Sequence, residues 1–193
     1  LVNLGSWQLG LAGEKSALAS RWEARAAMPA VAPESLLPDA PSAEAAAALA
    51  DRQVQWKASF TKNDYLLLDN RLHRGRAGYH VIALVKSNAG LIPLNLGWLA
   101  GDPSRRTTPI PTLPTGRVDI DGRIYVPSGA PLMMQTPQPP AALPATVQTL
   151  YWDNWQRSLE ALSGRAVFPF EVRIQPDSPY ALVAEWTVVN QSP

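Results

Sequence analysis

The side chains best suited to chemistry are two histidines, His73 and His80, which flank the turn Arg74-Gly75-Arg76. On the two arms of a hairpin their imidazoles could approach each other, and imidazole nitrogens bind metal ions and haem iron. A structural zinc site needs four protein ligands, and neither cysteine nor a nearby pair of carboxylates completes such a set here. We therefore interpret both as ordinary surface or cross-strand histidines and predict no metal site.

The sequence lacks the usual signatures of an enzyme. The absence of cysteine excludes a thiol nucleophile, thiolate ligation of a metal and a disulfide framework. There is no nucleophile elbow, phosphate loop or zinc-binding helix motif. Asp119 and Asp121 share the outer face of one strand pattern, where they read as solvated groups rather than an acid/base pair. These observations predict a binding or assembly module, not an enzyme.

Charge and hydropathy narrow the range of partners. The 17 basic residues nearly balance the 16 acidic ones, so the overall charge indicates neither nucleic acid nor an anionic membrane surface as a partner. No apolar run reaches the roughly 18 residues of a membrane helix. Because the sequence starts at Leu1 without a methionine and stops after a strand pattern, we expect both ends to be cut from a longer protein.

The rest of the chain is organised around the stretch from Gly78 to Trp98. Its pattern predicts a β-hairpin closed by Ser87-Asn88-Ala89-Gly90. In its first arm both sets of alternate residues are largely apolar, which predicts a central strand covered on both faces. In its second arm the alternate residues Ile92, Leu94, Leu96 and Trp98 are predicted to lie on one face of the strand. We predict that Trp98 faces the core and that Gly97 permits a close backbone approach.

Helical patterns lie at both ends of the chain. Residues 1–30 are predicted to form an amphipathic helix, whose Trp7 and Trp22 pack against the sheet. Residues 31–53 are predicted to be a linker with a short helix capped by Ser42. A late helix is predicted over residues 153–163, with Asp153 and Gln156 as a capping box and Gly164 as its stop.

The remaining patterns are those of strands. Period-two alternation recurs from Val54 onward, including a face of Leu66, Leu68 and Leu72 and a final strand over 182–188. The proline-rich stretches 101–115 and 127–144 are predicted to be loops. We predict one domain, 1–193, whose β-rich core spans 54–193. Its fold class is α+β, with an antiparallel, curved or barrel-like sheet of about six to seven strands.

Several short blocks, in order along the chain, resemble the surfeit locus protein 1 family of cytochrome c oxidase assembly factors. The chain has Leu96 where that family commonly has an arginine. The blocks are Leu4-Gly5-Ser6-Trp7-Gln8-Leu9 with Glu14-Lys15, Asn70-Arg71 with Gly78-Tyr79-His80-Val81, Leu94-Asn95-Leu96-Gly97-Trp98, Gly116 to Pro127, and Tyr151-Trp152-Asp153.

The resemblance implies a specific function. Family members cross the bacterial inner membrane twice and assist maturation of the haem-copper oxidase by handling haem a on its way to the catalytic subunit. This chain would be the single periplasmic domain between two missing flanking helices. Its motif residues, which become candidates for binding, are Trp7, Gln8, Tyr79, Gly97 and Trp98.

The resemblance also bears on the cofactor. The histidine that the family favours as a haem ligand lies beyond Pro193, so we expect haem a in the full-length protein and no cofactor in this fragment. The alternative is a generic extracytoplasmic β-domain that binds a lipid or a glycan. A deep apolar pocket inside the sheet would favour that alternative.

Overall fold

A computed structural model of the chain describes residues 3–36, 42–127 and 137–186. Its strands occupy the middle of the chain, with helices before them and one helix inserted before the last strand. In order, the elements are α1 (Asn3–Ala26), α2 (Pro33–Leu36), α3 (Ala43–Ala47), β1 (Gln53–Ser59), β2 (Tyr65–His73), β3 (Arg76–Lys86), β4 (Leu91–Ala100), β5 (Arg117–Tyr125), β6 (Ala145–Val147), α4 (Trp152–Ser163) and β7 (Glu171–Ile174).

The seven strands form one sheet in the order β1-β5-β7-β4-β3-β2-β6. A single further pair, Ser59 with Lys86, links β1 to β3, so five strands curve into a ring that stops short of a closed barrel. The predicted α+β class and curved sheet are confirmed. The sheet is mixed rather than purely antiparallel, because β6 runs parallel to β2 and β7 runs parallel to β4.

Two hydrophobic clusters lie on opposite sides of the sheet. One gathers side chains from every strand of the ring and therefore fills its interior, with Trp56, Ile124 and Phe170 among its buried members. The other lies outside the ring, where Trp155 and Leu159 of α4 cover Leu66 and Ile82. β3 separates the two clusters, and its residues 81–85 are buried, as its two-sided apolar pattern predicts.

Helix α1 agrees with the prediction in extent but not in packing. Its C-terminal part docks through Trp22, which lies 4.6 Å beneath the guanidinium of Arg123, and through Arg21, which lies 2.8 Å from Asp51. Trp7 is 65% exposed, so the prediction that it packs against the sheet is wrong. The reason is length: 24 helical residues extend about 36 Å, whereas the seven residues of β1 extend only about 23 Å.

The shorter helices largely follow their sequence signals. The Ser42 hydroxyl accepts a hydrogen bond from the amide of Ala45, which confirms the predicted cap of α3. Helix α4 ends as predicted at Gly164, which adopts the left-handed conformation. The predicted capping box is wrong, because the helix begins one residue earlier and its N-cap is Tyr151, without a side-chain cap bond.

Two strand predictions need correction. Leu72 is 75% exposed, because the pairing of β2 with β3 shifts between Leu68 and Arg71 and reverses the parity of the strand beyond the bulge. The final strand predicted over 182–188 is absent from its described part, 182–186, where Val183 forms an isolated bridge with Trp98. Residues 187–188 lie outside the described residues. Strand β6 follows the proline-rich stretch 127–144, of which 128–136 also lie outside them.

Candidate functional site

Polar side chains from three neighbouring strands meet on the outer face of the ring, beside the area that α4 covers. Register places Asn95 of β4 opposite Ile82 of β3 and beside Arg173 of β7. A shift in the β3–β4 pairing then places Trp98 opposite His80, so both Asn95 and Trp98 lie on this face despite their opposite parity. We call Asn95, His80, Glu171 and Arg173 the polar cluster.

Glu171 is the centre of the polar cluster. Its carboxylate is buried, it accepts a hydrogen bond of 2.7 Å from the side-chain amide of Asn95, and it lies 3.5 Å from Nε of Arg173. Burial raises the pKa of Glu171 above its ordinary value, although Arg173 and the Asn95 hydrogen bond oppose this effect. The carboxyl group is therefore a structural anchor that is hard to ionise, not a solvated surface charge.

His80 is held as a neutral imidazole. Its Nδ1 lies 3.3 Å from the side-chain nitrogen of Asn95, and its ring meets the ring of Trp186 edge-on at 5.7 Å. Burial, with repulsion from Arg71 and Arg173, lowers the pKa of His80 to about 4. At neutral pH the imidazole can accept the Asn95 hydrogen bond through Nδ1.

Arg173 joins the polar cluster to the aromatic side chains around it. Its guanidinium carbon lies 3.4 Å from the ring centroid of Tyr125 and 4.9 Å from that of Trp186. Such stacking is favourable for a cation in a partly desolvated position. The indole nitrogen of Trp186 donates a 2.8 Å hydrogen bond to the carbonyl of Ile174, which fixes the end of the described chain over this face.

The motif residues Gly97 and Trp98 lie directly beside the polar cluster. Gly97 has φ of +106°, and a Cβ at this position would lie 2.6 Å from the carbonyl oxygen of Val183. The amide of Trp98 donates to the same oxygen at 2.8 Å, and the side-chain oxygen of Asn95 accepts from the amide of Gly97 at 3.0 Å. Only glycine allows both this backbone conformation and this approach.

Trp98 is 8% exposed and faces away from the ring interior. Its indole nitrogen donates to the carbonyl of Arg71 at 3.0 Å, and the His73 ring lies 5.0 Å away. The indole also packs against Gly78, where a Cβ would lie 2.6 Å from the ring. The predictions that Trp98 is buried and that Gly97 meets another backbone segment are confirmed. Trp98 does not share the interior face of Ile92, Leu94 and Leu96, as was predicted, because the shift in the β3–β4 pairing turns it to the outer face.

The other predicted residues have different surroundings. Tyr79 is half-buried against the cluster that fills the ring. Trp7 and Gln8 are exposed on α1 and therefore take no part in the buried contacts around Trp98. Asp119 and Asp121 are exposed on β5, as predicted, and Asp119 forms an ion pair with Lys57.

The two histidines do not pair across their hairpin. Register places His73 opposite Arg76 and His80 opposite Leu68, and each ring contacts a different tryptophan. Of the two predicted settings, surface or cross-strand, His80 has the second, because it is partly buried and pairs with Leu68 and Trp98 on the neighbouring strands. Over residues 3–36, 42–127 and 137–186 no group of three or more potential ligands is placed to hold a metal ion.

The sequence did not predict the polar cluster, because Glu171 and Arg173 alternate with Phe170, Val172 and Ile174 as on a strand with one solvent-exposed face. The segment after β7 folds back over that face, and Leu182 donates to the carbonyl of Leu96 at 2.8 Å. The available signal was Asn95, a lone amide in a strand whose residues 91–98 are otherwise apolar or glycine. A buried amide of this kind requires polar partners, which the neighbouring strand supplies.

The polar cluster resembles a structural network more than a catalytic cleft. Its carboxylate, amide and guanidinium contact one another and are covered by the segment that ends at Trp186. A groove of about 500 Å³ lies elsewhere, between the proline-rich segment from Pro137 and Trp155 of α4, and neither histidine lines it. The rings of His73 and His80 pack against Trp98 and Trp186.

Within the described ranges, the longest helices are too short or too polar to cross a bilayer. A family model, described as the SURF1 family, matches residues 1–191 of the chain. The match includes α1, the ring, the polar cluster and the Gly97-Trp98 motif. A search of curated proteins and a search of solved structures each returned no match.

Proposed function

Since this chain belongs to the SURF1 family, whose members are membrane-associated assembly factors for cytochrome c oxidase, we propose that it assists delivery of haem a to the catalytic subunit. The observation that carries the proposal is the match over residues 1–191, which spans nearly the whole chain. The surfeit locus protein 1 resemblance at Trp7, Tyr79, Gly97 and Trp98 points to the same family.

In this proposal the domain is a docking platform and not the holder of the cofactor. Membrane helices outside the described residues would bind haem a, and the domain would stand on the periplasmic side of a bacterial inner membrane and contact the catalytic subunit. The packing of His73 against Trp98 and of His80 against Trp186 supports this division, because an axial ligand of haem must face the macrocycle rather than a protein side chain.

A domain that binds a lipid or a glycan is the alternative. Such a domain holds its ligand in a concave, largely apolar site. Here the ring interior is filled by the side chains of its own strands, including Trp56 and Ile124. The groove beside Trp155 is open and lies outside the ring. These features favour the assembly factor.

Deletion of the full-length gene in its host tests the proposal. Optical spectra of the membranes should lose most of the haem a signal of the oxidase, and the parent gene should restore it. Gly97→Ala should restore less than Gly116→Ala, because only Gly97 meets another backbone segment. An unchanged oxidase spectrum after deletion would remove the proposal.

A further inference from the structure

Arginine is concentrated at one end of the sheet. We call the segments 70–78 and 101–107 the tip. They lie side by side, because the amide of Gly101 donates to the carbonyl of Ala77 at 3.2 Å and the Arg105 guanidinium lies 3.4 Å from the side-chain oxygen of Asn70. The tip holds five of the 17 basic residues of the chain, namely Arg71, Arg74, Arg76, Arg105 and Arg106.

Three carboxylates lie beside these arginines and leave an excess of positive charge. Asp102 is bound to its own loop through Ser104 and Thr107, and Asp69 accepts a hydrogen bond from Gln148. Glu185 lies 3.5 Å from Arg74. Across the described ranges, the side chains of Arg76 and Arg106 form no ion pair, and both are exposed.

An exposed apolar side chain accompanies this charge. The bulge in β2 takes Leu72 off the face that Leu66 and Leu68 share, and its side chain is 75% exposed between Arg71 and the turn that carries Arg74 and Arg76. A leucine among arginines suits the boundary between lipid headgroups and acyl chains, where guanidinium groups pair with phosphates and the apolar side chain enters the bilayer. Nucleic acid would use the charge but would gain nothing from Leu72.

We propose that the tip binds the surface of a bilayer that contains anionic lipids. Arg74, Arg76, Arg105 and Arg106 would contact the phosphates, and Leu72 would insert below them. The overall charge of +1 gives no sign of this surface, because acidic residues elsewhere in the sequence offset the tip. The inference goes beyond the proposed function and does not depend on it, since it concerns a surface that can be tested without an oxidase.

Co-sedimentation of the 193-residue chain with vesicles tests the proposal. At low salt the chain should bind vesicles with about one third phosphatidylglycerol more tightly than pure phosphatidylcholine vesicles, and high salt should abolish the difference. The double variant R74E/R76E should bind at least roughly tenfold more weakly. A second variant, R105E/R106E, should show the same loss through a different segment, and L72S should weaken binding at unchanged charge.

Matched controls lie outside the tip, in α4 and directly after it. R157E/R165E changes two exposed arginines at α4 by the same charge, and L162S changes an exposed leucine of that helix. Both should bind like the parent, and circular dichroism should show every variant folded. The proposal is overturned if the parent does not prefer anionic vesicles or if tip and control variants lose binding equally. It is also overturned if the tip binds only a protein partner or an oligonucleotide.

Discussion

Trp98 stabilises the junction between the polar cluster and the hairpin. Its side chain is buried, packs against Gly78 and donates a hydrogen bond to Arg71. Trp98→Ala should therefore lower the free energy of unfolding by roughly 3 to 5 kcal/mol, because it leaves a cavity and an unpaired carbonyl. Denaturant unfolding measures this change. Trp7→Ala, at an exposed tryptophan, is the control and should change stability by less than about 0.5 kcal/mol; equal effects at the two positions would contradict the account.

Gly97 combines two constraints that can be separated by mutation. Its φ of +106° strains any other residue, and a Cβ would also meet Val183. Gly97→Ala should cost roughly 3 kcal/mol from strain and overpacking together. Gly116 has φ of +79° but open space around it, so Gly116→Ala should cost only about 1 kcal/mol. Thermal or denaturant unfolding of both variants gives the difference, and equal costs would refute the close approach.

His80 makes the stability of the fold depend on pH. The unfolded chain binds a proton at His80 near pH 6.5, whereas the folded chain binds it only near pH 4. Stability from this group is therefore present above pH 6.5 and is lost as the pH falls toward 4. His80→Gln should reduce the loss of unfolding free energy between pH 7 and pH 4.5, as measured by denaturant titration at both values.

Neighbouring charges must be separated from this effect. Glu171, with its raised pKa, titrates in the opposite sense, while Arg71 and Arg173 repel the protonated imidazole of His80. The comparison is therefore repeated in a Glu171→Gln background, where that opposing titration is absent. An identical pH dependence with and without His80 in this background would show that the imidazole is not shielded from protons.

Among the elements, the segment from Gln175 to Trp186 covers the sheet without forming a strand of it. Three backbone hydrogen bonds join it to β4, from Leu182 to Leu96, from Trp98 to Val183 and from Val183 to Trp98, and the Trp186 ring stacks near Arg173. Trp186→Ala should loosen the whole segment, so that hydrogen exchange at the amides of Leu182 and Trp98 accelerates more than exchange within β3. Trp22→Ala should leave these two amides unchanged and affect α1 instead.

The sequence predicted an element well where a single local signal, such as a helix cap or an apolar pattern, determined it. Ser42, Gly164 and the two-sided apolar arm of β3 have the roles that their side chains favour. Prediction failed where the backbone departed from regular pairing. The bulge before Arg71 reversed the parity of Leu72, and a three-residue strand such as β6 is too short to show a period.

The polar cluster could not be predicted, because its burial depends on a distant segment. Glu171 and Arg173 alternate with apolar residues as on any half-exposed strand. Only the return of the chain over β7 buries them, and alternation along one strand carries no information about that return. The prediction that Trp7 packs against the sheet failed for a related reason, because helical periodicity does not reveal where the supporting sheet ends.

At the scale of the whole molecule, the chain is a ring-like sheet whose outer face carries a buried polar cluster, with a family match over nearly its full length. Its interior is packed and both histidines contact tryptophans. These features suit a rigid body that positions other segments. The central claim is therefore that the domain docks while membrane helices hold haem a.

Haem titration of the 193-residue chain beside the full-length protein in detergent tests this claim most directly. The account predicts a tight, stoichiometric complex with the full-length protein and only weak, non-stoichiometric spectral change with the chain alone, because His73 and His80 each pack against a tryptophan and neither lines the described groove beside Trp155. A tight, stoichiometric complex with the chain alone that is lost in His73→Ala or His80→Ala would contradict it.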